Sequence, residues 1–158
     1  MNMNSVRLAR LSDTPMLATM MVEFYAEAAF VLDRERAQAA FERLVRAPAL
    51  GCIWVLEHNG MVAGFIVLTL TYAMEYGGMR GFVDDFFVRA QFRRRGVGQT
   101  ALDAVKAHCV ATGIRALFVQ TGGANSTAQL VYRRAGFVET GQALLVMPLA
   151  APVHTVTA

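Results

Sequence analysis

Long apolar runs are missing from this chain of 158 residues. The longest, residues 61–70, falls well short of the roughly 18 residues a membrane-spanning helix needs and contains a glycine, so it is expected as a buried strand. Cysteine is scarce. Cys52 and Cys109 stand far apart, which argues against a disulfide framework, leaves no metal-ligand spacing, and fits a reducing, cytoplasmic setting. Charge is thin at 17% against 55% hydrophobic residues, so the chain carries enough apolar surface for a core and is not disordered. No basic region followed by an apolar stretch opens the sequence, so no secretion signal is expected. Repeats, linkers and low-complexity stretches are also absent. One domain over residues 1–150 with a flexible tail at 151–158 is the expected organisation.

What charge there is has a bias. The net charge is +3, and Arg93, Arg94 and Arg95 together carry an excess equal to it. Basicity confined to one short segment points to an anionic ligand at that spot more than to a nucleic-acid surface. No interleaving of aromatic and basic residues accompanies the run, so nucleic acid is not an expected partner.

Periodicity and punctuation give the elements. A strand is expected at residues 6–10. Ser12 or Asp13 caps a helix with Pro15 in its first turn and Leu17, Met20, Met21 and Phe24 on one stripe, running to about residue 30. Asp33 caps a second helix that ends before Pro48. A strand at 52–57, a hairpin turn at 58–60 and a long strand at 61–72 follow. Residues 74–80 read as a loop, and 81–88 as a Phe-rich strand interrupted by Asp84 and Asp85. A helix over 99–112 stops at Gly113. A strand at 115–121 leads to a short helix capped by Asn125, and two closing strands are expected at 137–140 and 143–149. The order, an antiparallel front and a βαβα back, predicts an α+β sheet protein. His58 and His108 read as surface residues, and Cys109 as a small core residue.

Between a strand and a helix lies Arg93-Arg94-Arg95-Gly96-Val97-Gly98. Two glycines let a backbone approach a phosphate, the first helical amides point at it, and the helix dipole favours negative charge. Arginines can add bidentate contacts. A solvated basic loop before an ordinary helix is the competing interpretation. The segment is neither a Walker loop, lacking its Gly-Lys-Ser/Thr ending, nor a GxGxxG turn.

Arg93-x-x-Gly96-x-Gly98 resembles the Gln/Arg-x-x-Gly-x-Gly/Ala signature of the GNAT superfamily of N-acetyltransferases. Three neighbours strengthen the resemblance: the acid-containing strand at 83–88, the pattern Asn125…Tyr132…Gly136-Phe137, and the element order over residues 6–149. The fold it implies is a mixed, mostly antiparallel central sheet flanked by helices. The activity it implies is transfer of acetyl from acetyl-CoA, as cosubstrate and without a metal, to an amine that attacks the thioester directly. Main-chain groups of Phe87 and Val88 would pair with pantetheine, while Arg93, Arg94, Arg95, Gly96, Val97 and Gly98 would hold the pyrophosphate. Asn125 would touch the cofactor, although a plain helix cap is the competing role. Tyr132 would protonate the departing thiolate, a task that suits a phenol protonated at neutral pH.

The run Val83-Asp84-Asp85-Phe86-Phe87-Val88 is most similar to the polyamine (diamine) acetyltransferases. There an acidic pair serves amine binding and proton removal. Asp84 aligns with the proposed base and, one methylene shorter, would act through a water. Asp85 would bind substrate or bond a neighbouring loop; which of the two is the base stays open. Glu75 and Tyr76 are further candidates for a cationic amine, whereas Glu23 and Glu27 read as a solvated helix face. The expected partners are a small-molecule amine and a second copy of the chain in a homodimer, with no membrane. A protein lysine or N-terminus as acceptor, and a non-catalytic acyl-CoA-binding module, share this fold; Tyr132 and Asp84 speak against the module.

Overall fold

The structure is a computed structural model that describes residues 3–156. Five strands form the main sheet: β1 (Asn4–Leu8), β3 (Gly51–His58), β4 (Met61–Ala73), β5 (Gly78–Val88) and β6 (Ala116–Val119), in that spatial order. All neighbours are antiparallel except β5 and β6, which are parallel. Helices α1 (Thr14–Glu27) and α2 (Arg34–Arg46) cover one face. Helices α3 (Val97–Ala111) and α4 (Ser126–Arg134) lie with the other. This is the mixed, mostly antiparallel sheet expected from the element order.

Both faces of the sheet are covered, and this explains the continuous apolar runs in β3 and β4. Ile53, Val55, Phe65 and Val67 pack toward α1 and α2 with Leu17, Met20 and Phe41. Their alternates Trp54, Leu56, Ile66 and Leu68 pack toward α3 with Val97, Leu102 and Val105. The β3–β4 hairpin turns where His58-Asn59-Gly60 predicts it, with Asn59 and Gly60 both at positive φ.

Several elements differ from expectation. Asp13 does not cap α1 through its side chain; its carboxylate instead takes Arg7 in a paired contact at 2.8 and 3.0 Å. Helix α1 stops at Glu27, because Ala29 at φ 59° reverses the chain into a short strand, β2 (Phe30–Leu32). Asp33 does cap α2, accepting from the Arg36 amide at 3.1 Å. The loop at 74–80 is shorter than expected: a 3-10 turn at Met74–Tyr76 leads directly into β5. His58 is buried, 1% exposed, since the β1–β3 register puts Asn4 opposite it and Nδ1 lies 2.7 Å from Asn4 Oδ1. His108 packs edge-on against Trp54, with Nε2 3.7 Å from Cys52 Sγ.

The largest departure follows α4. Neither closing strand, at 137–140 or at 143–149, forms. Phe137 packs on Tyr132 at 5.5 Å, but Leu145, Met147 and Leu149 beyond it are 90%, 82% and 91% exposed. The chain is drawn away from the sheet: Arg36 binds the carbonyls of Ala151 and Pro152, and β7 (His154–Val156) pairs with β2. The expected frayed tail is therefore a docked strand up to Val156; the rest of that expectation lies outside the described residues.

Candidate active site

Strand β5 is where the sheet opens. It pairs with β4 from Gly78 to Val88, yet with β6 only from Arg80 to Val83. From Asp84 onward one edge of β5 has no neighbouring strand among the described residues. A free strand edge beside a diverging partner is the place where an extended amide-bearing ligand can pair as a strand does. Gly64 of β4 keeps this stretch tight from the other side, since a Cβ there would lie 2.0 Å from the Phe87 carbonyl oxygen.

The two acids sit at the opening itself. Leu68 faces Val83 and Ile66 faces Phe86, so Val67 alone opposes both Asp84 and Asp85. Such a bulge suspends the in-out alternation that adjacent residues would otherwise obey. Asp85 is the more enclosed, and Tyr25 of α1 donates its hydroxyl to Asp85 Oδ1 at 3.4 Å. Burial first, then the charge of Asp84, pushes Asp85 up to about 6, while the Tyr25 hydrogen bond opposes the rise. Burial also raises Asp84. The Tyr25 phenol is raised by burial and then by both carboxylates.

After β5, the chain makes a 3-10 turn at Ala90–Phe92 and reaches α3 through Arg93, Arg94, Arg95 and Gly96. Arg94 and Gly96 have φ of 58° and 80°, a region natural to glycine. Gly98 lies against Phe86, whose Cζ would be 3.4 Å from an added Cβ. The arginines divide their tasks. Arg93 donates Nε to the Val88 carbonyl at 2.7 Å and Nη2 to both Glu27 oxygens at 2.6 and 2.8 Å. Arg95 bonds the Gln91 carbonyl at 3.1 Å. Only Arg94 has no hydrogen bond or ion pair from its side chain among the described residues of this run. The main-chain amides at the start of α3 and Arg94 are thus what the turn offers an anion. The Val88 carbonyl, expected to meet pantetheine, is engaged by Arg93.

Glu23 and Glu27 are not a solvated face. Glu23 takes Arg89 through two contacts of 2.8 Å, and Glu27 takes Arg93, so two ion pairs tie α1 to the end of β5. Helical spacing of four places both glutamates on one side of α1.

Tyr132 approaches from α4. Its ring lies 6.3 Å from Phe86 and 5.5 Å from Phe137, so Phe86 touches both the glycine turn and this tyrosine. Burial pushes the phenol up to about 12. Asn125 caps α4, its Oδ1 accepting from the Ala128 amide at 3.1 Å. Phe87 points into the α1 side of the core, stacked on Phe24 at 5.3 Å, and Val97 is buried under α3. Glu75 and Tyr76 are not brought to the acids: Tyr76 packs on Phe118 at 6.2 Å, and the extended strand from Gly78 to Asp84 spans about 20 Å.

Sequence reasoning singled out neither Tyr25, Phe30 nor His154. The structure gathers all three: ring centroids are 6.3 Å apart for Tyr25 and Phe30, 5.2 Å for Tyr25 and His154, and 4.5 Å for Phe30 and His154. Among the described residues no group of His, Cys, Asp and Glu is placed to hold a metal ion, and no helix is long and apolar enough to cross a membrane.

Comparison with known proteins adds independent findings. The profile of the acetyltransferase (GNAT) family matches residues 18–137. The uncharacterized N-acetyltransferase YhfO of Bacillus subtilis (strain 168) is 29% identical over 139 residues, covering 85% of this chain and 90% of its own. Among solved structures, the integron cassette protein HFX_CASS3, from the mobile metagenome of Cole Harbour Salt Marsh, is 49% identical with a TM-score of 0.86, over 94% of this chain and 92% of its own. The aminoglycoside N-acetyltransferase AAC(6')-Iy, solved in complex with CoA, shares the fold at a TM-score of 0.79 and 18% identity, over 95% of this chain and 97% of its own.

Proposed function

The chain belongs to the acetyltransferase (GNAT) family, and as an acetyl-CoA-dependent N-acetyltransferase of that family, we propose, it acts on the primary amine of a small cationic molecule by direct attack. The observation that carries the choice of acceptor is the acid pair Asp84 and Asp85 at the bulge, beside the free edge of β5, with no arginine or lysine paired to either among the described residues. Adjacent carboxylates, one half-buried and one more open, left without a protein cation suit a cationic ligand. The likeness of the 83–88 run to polyamine acetyltransferases makes diamines and polyamines the first acceptors to try.

In this mechanism the edge of β5 at Phe87 and Val88 orients the pantetheine arm, and the α3 amides with Arg94 hold the pyrophosphate. An ammonium has no lone pair, so one carboxylate of the pair takes its proton and passes it to solvent. The freed nitrogen forms the C–N bond at the thioester carbonyl, and a main-chain N–H near Val88 steadies the oxyanion. As the C–S bond breaks, the Tyr132 hydroxyl gives its proton to sulfur and regains one from the product nitrogen through solvent. The sum is one amide, one free thiol and the proton that the ammonium brought.

The test is thiol release from acetyl-CoA across a panel of diamines, polyamines, aminoglycosides, amino acids and lysine peptides. The proposal expects release with small cationic amines. Release with peptides alone would assign a protein acceptor instead.

A homodimer belongs to the same proposal. Leu145, Met147 and Leu149 form a run of exposed apolar side chains of the kind that marks an interaction surface, and among the described residues β6 ends the sheet with an open edge.

A further inference from the structure

We propose that Asp85 is the carboxylate that takes the amine's proton, and that Tyr25 from α1 and His154 from the C-terminal strand are the positioning residues that hold it for this task. The inference rests on the acetyltransferase reading above and assigns roles within that site.

Four observations converge. The bulge opposite Val67 brings both acids to the same opening, and Asp85 is the more enclosed of the two, the setting in which a carboxylate's proton affinity rises toward that of a useful base. Tyr25 donates to Oδ1 of Asp85, and no side chain among the described residues donates to Oδ2. One oxygen is therefore fixed by the protein while the other is left for an N–H.

The Tyr25 ring is itself held by Phe30 and His154, which close a three-ring cluster. His154 is kept there on both sides. It pairs with Leu32 in the β2–β7 register, Asp33 donates its amide to the Val153 carbonyl at 2.7 Å, and Arg36 binds the Ala151 and Pro152 carbonyls.

The remaining charges around Asp85 are accounted for. Asp84 faces it from its own strand, Tyr25 from α1, and His154 stands behind Tyr25 from β7. Glu23 and Glu27, the other acids on α1, are committed to Arg89 and Arg93. No cation among the described residues pairs with Asp85, so its proton partner is the substrate. Asp84, more open, is left to attract the cation.

In the step assigned here, an N–H bond of the ammonium breaks, its proton joins Oδ2 of Asp85, and the electron pair stays on nitrogen for attack. Asp85 returns the proton to solvent once the amide has formed. The Tyr25 hydrogen bond favours the charged carboxylate, so removing it makes Asp85 harder to deprotonate.

The experiment is kcat/KM for the amine against pH at saturating acetyl-CoA, for wild type, Asp85→Asn, Asp84→Asn, Tyr25→Phe, His154→Ala and His154→Phe. Wild type should lose activity through an acidic limb near 6. Asp85→Asn should lose roughly 10²–10⁴-fold near neutral pH, recovering at high pH, where the amine is already neutral. Asp84→Asn should raise the amine KM about evenly across pH. Tyr25→Phe, which keeps the ring, should move the acidic limb upward, with a loss of roughly 3- to 10-fold below the limb and little change at pH 8. His154→Ala should move it in the same direction, and His154→Phe should restore it. A wild type that releases no thiol with any amine overturns the acetyltransferase reading and this inference together. An active wild type whose Asp85→Asn variant keeps its rate, or whose Tyr25→Phe limb stays in place, overturns the inference alone.

Discussion

Tyr25 and Asp85, 60 residues apart in sequence, meet hydroxyl to carboxylate at 3.4 Å where β5 bulges. The contact joins the first helix to the strand that opens the sheet, and it partly offsets the cost of enclosing two carboxylates next to each other.

That cost predicts a stability effect with a definite sign. Asp85 sits at about 6 in the folded chain against an ordinary 3.8. Between those values the folded state binds more protons than the unfolded one, so this residue makes stability fall as pH rises from about 4 to about 6. Asp85→Asn should therefore be more stable than wild type at pH 7, by an amount on the order of 2 kcal/mol, with the gain shrinking toward pH 4. Urea unfolding at both pH values checks it. Equal stability at pH 7 would mean the carboxylate is not strained by its surroundings.

Gly98 meets Phe86, and Phe86 meets Tyr132. Gly98→Val would add methyls where the backbone must approach a phosphate, and would press on the ring that seats the acid. Acetyl-CoA affinity by calorimetry should drop at least tenfold, an interaction loss of about 1.4 kcal/mol. For wild type, acetyl-CoA at about 100 times its dissociation constant should add about 2.7 kcal/mol of stability. Unchanged affinity in a folded Gly98→Val protein would remove this turn from the cofactor site.

Much of this architecture is legible in sequence because its causes are local. Asp33 announces its helix, His58-Asn59-Gly60 announces its hairpin, and strand runs apolar on both faces announce a sheet covered twice. The acid pair was legible as a pair, but not its arrangement, because only the register against β4 shows that Val67 opposes both residues. Glu23 and Glu27 look like any solvated helix face until Arg89 and Arg93, in the segment that follows β5, are brought across to them. Residues 143–149 have every local feature of a strand, and still no strand forms, since pairing needs a neighbour that the chain after α4 turns away from. His154 carried no signal: its place depends on β2 and β7, three residues each, finding one another from 122 positions apart (Leu32 to His154).

The exposed run at 143–149 makes a prediction of its own. Light scattering at micromolar concentration should find a species of twice 17.2 kDa. Met147→Lys, which places a charge in that run, should shift it toward the single chain. A wild type that stays at 17.2 kDa would leave the run without a second copy to cover it.

The central claim is that this fold transfers acetyl to an amine with Tyr132 as the acid that releases the thiol. Burial pushes the phenol up to about 12, so the group is neutral and keeps its proton throughout the working range. Tyr132→Phe keeps the ring against Phe86 and Phe137 and removes only the hydroxyl. The measurement is single-turnover thiol release from bound acetyl-CoA on mixing with a saturating cationic amine, wild type beside Tyr132→Phe. Amine-dependent release by wild type, slowed roughly 10²–10⁴-fold in the variant with acetyl-CoA affinity unchanged, is the expected result. Equal rates for the two proteins would contradict it.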